Sequence, residues 1–401
     1  MILKAGYPYS LVKNGLPFDY PKLEKNTSTD VLVMGGGISG ALAAHYLIRE
    51  GISCMIVDAR SIGLGSTCAS TSLLQYEIDT PLHRLITMAG KENAVAAYRL
   101  CASAITKLEA LARQTGMEDF AFTRSLYYAA YKKDISWLAK EFTIRKQYGF
   151  AVQQLGESAI YKEFGFKAPT AILSELGACT DAYLFTHHLL VYNMKRGLLV
   201  YDRTAIDSIK HHPGGVEVIS RDGYRISAKK LVYATGYEVV NFIKKPIVSL
   251  HSTYASISES LSYQPHIGKK DTMIWNTANP YLYIRTTPDR RIIVGGRDEK
   301  FFSPAKRDKL IQAKAKQLKN DFNKLFPRTP FTPEFSWTGT FGSTRDGLPY
   351  IGPYRGLPNS YFSLGFGGNG ITFSQVAGEI IAGLVKGKKN KHAGIFSFDR
   401  T

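Results

Sequence analysis

Residues 30–59 read DVLVMGGGISGALAAHYLIREGISCMIVDA, and few folds accommodate that string. The apolar run at 31–34 predicts a short buried strand, which Gly35, Gly36 and Gly37 interrupt at once. Leu42, Ala43, Tyr46 and Leu47 then recur at helical spacing over 38–50, and Gly51 stops the helix. A second strand over 53–57 ends in Asp58. Strand, G-x-G-x-x-G turn, helix, strand and acid, in this order, make a dinucleotide-binding unit. Gly35 permits the tight turn, and Gly37 lets the backbone N–H groups that open the helix, near Ile38 and Ser39, approach a pyrophosphate. Gly40 brings the helix close to the sheet. Asp58, 18 residues after Gly40, stands where an acid accepts hydrogen bonds from the adenosine ribose.

The residues after Asp58 choose between nicotinamide and flavin. Ala59 and Arg60 lead into SIGLGSTCASTS (61–72), a loop of small and hydroxyl-bearing residues. Gly65, Ser66, Thr67, Ser70 and Thr71 suit it to pass close beneath a cofactor and to offer N–H and O–H donors to a diphosphate and ring system. A nicotinamide domain more often continues directly into its next helix. Near the other end, GFGGNG (365–370) follows an apolar strand and opens a helix carrying small Ala377, Gly378 and Ala382. The N–H groups at that helix start, with a dipole of about half a positive charge, favour negative charge on a reduced ring.

Four separated motifs carry a resemblance to the flavin-dependent D-amino-acid oxidase superfamily, which includes glycine oxidase, sarcosine oxidase and gamma-glutamylputrescine oxidase. DVLVMGGGISG with IVDA is similar to its adenosine-diphosphate site, and GSTCASTS to its flavin-proximal loop. LVYATGYE (231–238) resembles the second strand-turn that closes over the cofactor, which implicates Ala234, Thr235 and Gly236. DGLPYIGP (346–353) and the stretch YFSLGFGGNGITFSQVAGEIIAGLV (361–385) resemble the segment holding the flavin ring end, which implicates Asp346, Gly367, Gly368, Asn369, Gly370 and Ile371. By the same comparison Ile206 meets the adenine ring. The resemblance implies non-covalent FAD: the covalent attachment found in sarcosine oxidase uses a C-terminal cysteine, and this chain has none after Cys179.

The implied fold is α/β: a Rossmann-like FAD-binding domain in discontinuous segments, with a substrate domain on a mixed, largely antiparallel sheet. The expected FAD-binding segments are 29–80, 150–240 and 337–390. Residues 81–149, read as a helical insertion, and 241–336 form the substrate domain. Residues 1–28 are read as a lead-in laid across the surface. One basic amphipathic helix is expected over 304–326, with Ile311, Leu318, Phe322 and Leu325 on a shared face.

Composition narrows the remaining classes. The 401 residues exceed one ordinary core and carry a formal charge of +18. That charge favours acidic partners, but the basic residues are spread along the chain, so a solvated basic surface is the reading adopted and nucleic acid is not expected as a partner. No apolar run is long enough for a membrane span, and no signal peptide is visible, so a cytoplasmic location is expected. Four scattered cysteines and two adjacent histidine pairs suggest neither disulfides nor a metal site.

The family reaction passes a hydride equivalent from a C–H beside an amine to the flavin, with oxygen as the expected acceptor. No catalytic acid–base pair is evident in the sequence. Amino-acid-oxidising members clamp the substrate carboxylate with an arginine two residues after a Trp-x-Gly; here Trp337-Thr338-Gly339 is followed at that place by Phe341. This departure turns the expected substrate toward amines, with amino acids retained. Tyr281, Tyr283, His251, Phe341 and Arg285 are the pocket candidates. The alternatives are a flavin-dependent 2-hydroxy-acid or glycerol-phosphate-type dehydrogenase, with basic residues around an anionic substrate, and a tRNA- or RNA-associated flavoprotein.

Overall fold

The computed structural model describes residues 1–243, 245–268 and 270–400. Its chain divides between two sheets. The eight-stranded sheet runs in the order Tyr350–Pro353, Ser360–Leu364, Arg225–Tyr233, Thr27–Met34, Cys54–Val57, Leu199–Tyr201, with the hairpin Ile206–His212 and Gly215–Ser220 added beside Arg225–Tyr233. The four pairings from Ser360–Leu364 across to the edge strand Leu199–Tyr201 are parallel. Cys54–Val57 and the last four residues of Thr27–Met34 are buried throughout, as strands covered on both faces must be. Helices Ile38–Arg49 and Gly370–Val385 pack together over this sheet. A Cβ at Gly378 would lie 3.0 Å from the Leu42 carbonyl oxygen, so glycine sets how closely the two helices approach. The Ser39 and Ser374 hydroxyls share a 2.7 Å hydrogen bond across the contact.

The second sheet has ten strands and forms a roof. Its order is Lys4–Gly6, Pro333–Ser343, Ser249–Ser258, Ile292–Glu299, Tyr283–Thr286, Thr272–Asn276, Phe120–Tyr128, Thr170–Thr180, Leu73–Leu74, with Val152–Gly156 also pairing to Thr170–Thr180. All its pairings are antiparallel except Thr272–Asn276 with Phe120–Tyr128. The architecture is the mixed α/β arrangement that the sequence implies.

Several boundaries differ from the sequence reading. Val152–Gly156 and Thr170–Thr180 hydrogen-bond within the ten-stranded roof, not the eight-stranded sheet, as does Pro333–Ser343. Phe120–Tyr128 is a strand inside the segment read as helical, and Lys4–Gly6 in the lead-in forms the roof's edge strand. A strand's local pattern records its two faces but not its pairing partner. The helix over 304–326 is two, Pro304–Lys309 and Ile311–Leu325, joined at Leu310. Among the described residues no helix is long and apolar enough to cross a membrane.

Candidate functional site

A crevice of about 500 Å³ runs between the sheets, from the first helix to the roof. At its nucleotide end the strand–turn–helix supplies backbone rather than side chains. Gly35 has φ +113°, and a Cβ there would meet the Ala234 carbonyl oxygen at 2.4 Å. Gly37 caps the helix, and the Ile38 N–H donates to Thr67 Oγ1 at 3.1 Å, which draws the hydroxyl loop beneath the helix start. Asp58 accepts from the N–H groups of Gly36 (2.7 Å) and Arg60 (2.8 Å). Burial raises its carboxyl above the usual range, against the pull of those two bonds and the Arg60 charge.

Arg60 is held by Glu238 through two hydrogen bonds of 2.8 and 3.0 Å, and both residues line the crevice. Ile206 lies on the wall next to Thr204 and Ala205. Gly35, Gly37, Ile38, Ser39, Asp58, Ala59, Arg60, Gly65, Ser66, Thr67, Ser70 and Thr71 all line this space, as do Ala234, Thr235, Gly236, Gly367, Gly368, Asn369, Gly370 and Ile371. These positions come from four stretches far apart in the chain, and the fold brings them to one surface. Ser66 Oγ and Thr235 Oγ1 are buried there without a hydrogen-bond partner. Orphaned hydroxyls beside a glycine-opened helix start fit the diphosphate and polar groups of FAD, since buried polar atoms otherwise find partners.

Two cofactor candidates lie off the wall. Gly40 acts through packing: a Cβ there would stand 1.8 Å from the Gly35 carbonyl oxygen. Asp346 is buried against Arg400, whose Nε donates at 2.9 Å, and it accepts the Leu348 N–H at 3.0 Å. Its role is to tie the segment before Tyr350–Pro353 to the C-terminal turn.

The roof end is aromatic and acidic. Tyr281, Tyr283 and Phe341 line it, joined by Trp275 and Tyr237. Trp275 stacks on Tyr127 with ring centroids 3.7 Å apart and donates to Ser125 Oγ at 3.0 Å, so its ring is fixed. Burial raises the Tyr281 phenol well above its ordinary value, and the nearby Asp79 and Asp298 add to the effect, so it remains a hydrogen-bond donor. His251 and Arg285 are not on the wall. His251 Nε2 is 2.9 Å from Ser343 Oγ, and burial followed by the Lys300 charge lowers its pKa. Arg285 is buried, with Nε donating to the Thr71 carbonyl at 2.6 Å; it braces the hydroxyl loop from behind.

Sequence reasoning did not single out Glu77, Asp79, Glu238 or Asp298, although all four line the crevice. Asp79 Oδ2 accepts the Gly368 N–H at 2.8 Å, and burial raises its carboxyl. Glu77 is buried beside Arg145, and Asn369 Nδ2 donates to its backbone carbonyl at 2.8 Å. The local signal for Asp79 and Glu77 was their position just after the hydroxyl loop. Glu238 closes the quoted LVYATGYE motif, whereas Asp298 carries no sequence signal of its own.

Comparison with known proteins gives the family and the fold. A D-amino acid dehydrogenase of Granulibacter bethesdensis is 24% identical, over 90% of this chain and 96% of the relative. Gamma-glutamylputrescine oxidoreductase of Escherichia coli is 23% identical, over 92% of this chain and 86% of the relative. The crystal structure of L-proline dehydrogenase from P. horikoshii superposes with a TM-score of 0.78 at 18% identity, covering 94% of this chain and 97% of that one. Residues 30–384 match the DAO family, described as FAD dependent oxidoreductase. The chain therefore belongs to the DAO family of FAD-dependent oxidoreductases and is an FAD enzyme.

Proposed function

We propose that this enzyme oxidises the C–N bond of a small amine or amino acid, with hydride passing to FAD and oxygen as the terminal acceptor. The carrying observation is the joining of a dinucleotide cradle to an aromatic end in one crevice, with Gly367–Asn369 between them. FAD, when bound, supplies the two-electron chemistry. The protein's part is to orient the substrate and exclude water: Trp275, Tyr281, Tyr283 and Phe341 form the walls, and the Gly370–Val385 helix start would offer its dipole to the ring end of a bound FAD. The substrate loses two electrons and two protons to become an imine. Water hydrolyses the imine to a carbonyl compound and an amine or ammonia, and oxygen takes up the electrons and protons as hydrogen peroxide. The names of the relatives, which include an amino acid dehydrogenase and a polyamine-derivative oxidoreductase, support C–N oxidation.

The test is anaerobic bleaching of the flavin band by a panel of alkylamines, N-methyl amino acids, D-amino acids and 2-hydroxy acids, followed by peroxide measurement under oxygen. Bleaching by C–N compounds with peroxide release is expected. Bleaching by hydroxy acids alone would replace this reading with the dehydrogenase alternative. Bleaching by C–N compounds without peroxide would remove oxygen as the acceptor.

A further inference from the structure

The strand Ile292–Glu299 contains a β-bulge at the crevice. Against Ser249–Ser258 its register runs Ala255 to Gly295 and Tyr254 to Gly296, then jumps to Ser252 opposite Glu299. Arg297 and Asp298 together stand opposite the single residue Thr253. Arg297 has φ +56°, in the left-handed region where a residue with a long side chain is uncommon. The extra residue reverses the alternation of faces. Val294 packs in the cluster beneath helix Ile311–Leu325, and strict alternation from it would aim Arg297 into the crevice and Asp298 at the helix. Instead Arg297 Nε donates to Asp321 of that helix at 2.6 Å, and Asp298 enters the crevice beside Thr253.

We propose that the substrate is an alkylamine without a carboxylate beside the reacting carbon, bound as its ammonium by Asp298 between the rings of Tyr281, Tyr283 and Trp275 and passing one N–H proton to that carboxylate before hydride leaves the adjacent carbon. This narrows the amine-or-amino-acid reading above and rests on it. Asp298 Oδ1 is buried with no hydrogen-bond partner within 3.5 Å, and the Thr253 hydroxyl bears only on its carboxyl, so an N⁺–H donor would complete the arrangement. Lys314, the basic group whose charge bears on Asp298, is engaged by Glu299 and by the Arg297 carbonyl. Asp79 adds a second carboxylate at this end. Among the described residues of the wall, the guanidinium groups are Arg60 and Arg221, and both belong to the nucleotide end beside Asp58 and Ala205. An α-carboxylate would therefore meet like charge and Phe341. An ammonium meets a carboxylate and aromatic faces, which attract cations.

Two ligands without an α C–H, and so not oxidisable at that carbon, make the test. Tert-butylammonium and 2-aminoisobutyrate differ by one methyl replaced with a carboxylate. Each is titrated into the oxidised holoenzyme at pH 8, and the shift of the visible flavin band is read. Tert-butylammonium should bind at least tenfold more tightly than 2-aminoisobutyrate. Asp298→Asn should weaken tert-butylammonium at least tenfold at unchanged FAD content, and Asp298→Glu should restore part of the loss. Equal or reversed preference in the wild type, no shift with either ligand, or an Asn variant that binds the cation normally would each overturn the inference. The wild-type comparison decides even if the variants fold poorly. Flavin bleaching by amino acids with the ligand preference reversed removes only this inference; bleaching by no C–N compound removes the proposed reaction itself.

Discussion

Gly40 sits directly over the Gly35 carbonyl, so close that an added Cβ would lie 1.8 Å from its oxygen. Gly37, one turn earlier, has a different neighbour: its Cβ would approach the Thr67 hydroxyl at 2.7 Å, on the crevice side. The two glycines therefore fail differently when replaced. Gly40→Val should lose soluble folded protein, because backbone cannot give way. Gly37→Val should keep its far-ultraviolet circular dichroism and lose FAD, with affinity down at least about tenfold, or about 1.4 kcal/mol. Full FAD retention in Gly37→Val would contradict the assignment of the pyrophosphate turn.

Beneath the crevice, Arg145 is fully buried and donates to Glu141 at 2.6 Å, with Glu77 on its other side at 3.4 Å. Glu141 also accepts the N–H groups of Leu82 (2.9 Å) and His83 (3.0 Å). Removing one member strands a buried charge, so Glu141→Leu should lower unfolding stability by about 3–5 kcal/mol in urea titrations. A change within about 0.5 kcal/mol would show that the cluster relaxes freely.

The same carboxyl has an acid signature. Burial opposes its ionisation, but the Arg145 charge and the His83 bonds outweigh that and hold its pKa at about 2, against an ordinary 4.5. A depressed native pKa stabilises the fold above the unfolded value, and the contribution is lost as pH falls from 4.5 toward 2. The stability gap between wild type and Glu141→Leu should accordingly shrink across that interval. A gap independent of pH would assign the effect to packing alone.

Asp298 behaves in the opposite sense. Burial raises its pKa to about 6; Asp79 and Glu299 add to this, while Thr253 and Lys314 oppose it. The folded state then binds the proton more tightly than the unfolded chain does. The group's contribution to stability is greatest at low pH and falls as pH rises from 3.8 through 6. Asp298→Asn should raise Tm at pH 8 and leave it unchanged near pH 4, at equal FAD saturation. Amine binding should run the other way and strengthen as pH rises through about 6. A lower Tm for the Asn variant at pH 8 would mean that the carboxylate is a structural partner.

Phe341 faces the crevice, and its ring lies 5.3 Å from His251. A guanidinium at this position can present two parallel donors to a carboxylate. Phe341→Arg should tighten 2-aminoisobutyrate at least tenfold and weaken tert-butylammonium, both read from the flavin band. If neither affinity moves, the side chain at 341 does not meet the ligand.

The nucleotide end was legible because its information is contiguous. Turn, helix start and acid lie within 29 residues, from Asp30 to Asp58, and glycine tolerates the close approaches on its own. The hydroxyl loop followed directly. Roof strands were harder to place: Thr170–Thr180 bonds to Phe120–Tyr128, Val152–Gly156 and Leu73–Leu74, and no local pattern names such partners. Arg285 and His251 stand off the crevice wall for the same reason. Residue type marked them as pocket candidates, but carbonyl and hydroxyl partners elsewhere in the sheet had already claimed them.

By itself the sequence determined the glycine turn and the first helix start, where a diphosphate is expected, since both are short-range structures. Only the tertiary structure decided the charge at the roof end of the crevice. One extra residue in Ile292–Glu299, defined by pairing with a strand some 40 positions earlier, exchanges Arg297 for Asp298 at the crevice. Side chains alternate with a period of two, so a single insertion in the ladder is enough to replace a cation with an anion, and only the register of the assembled sheet records it.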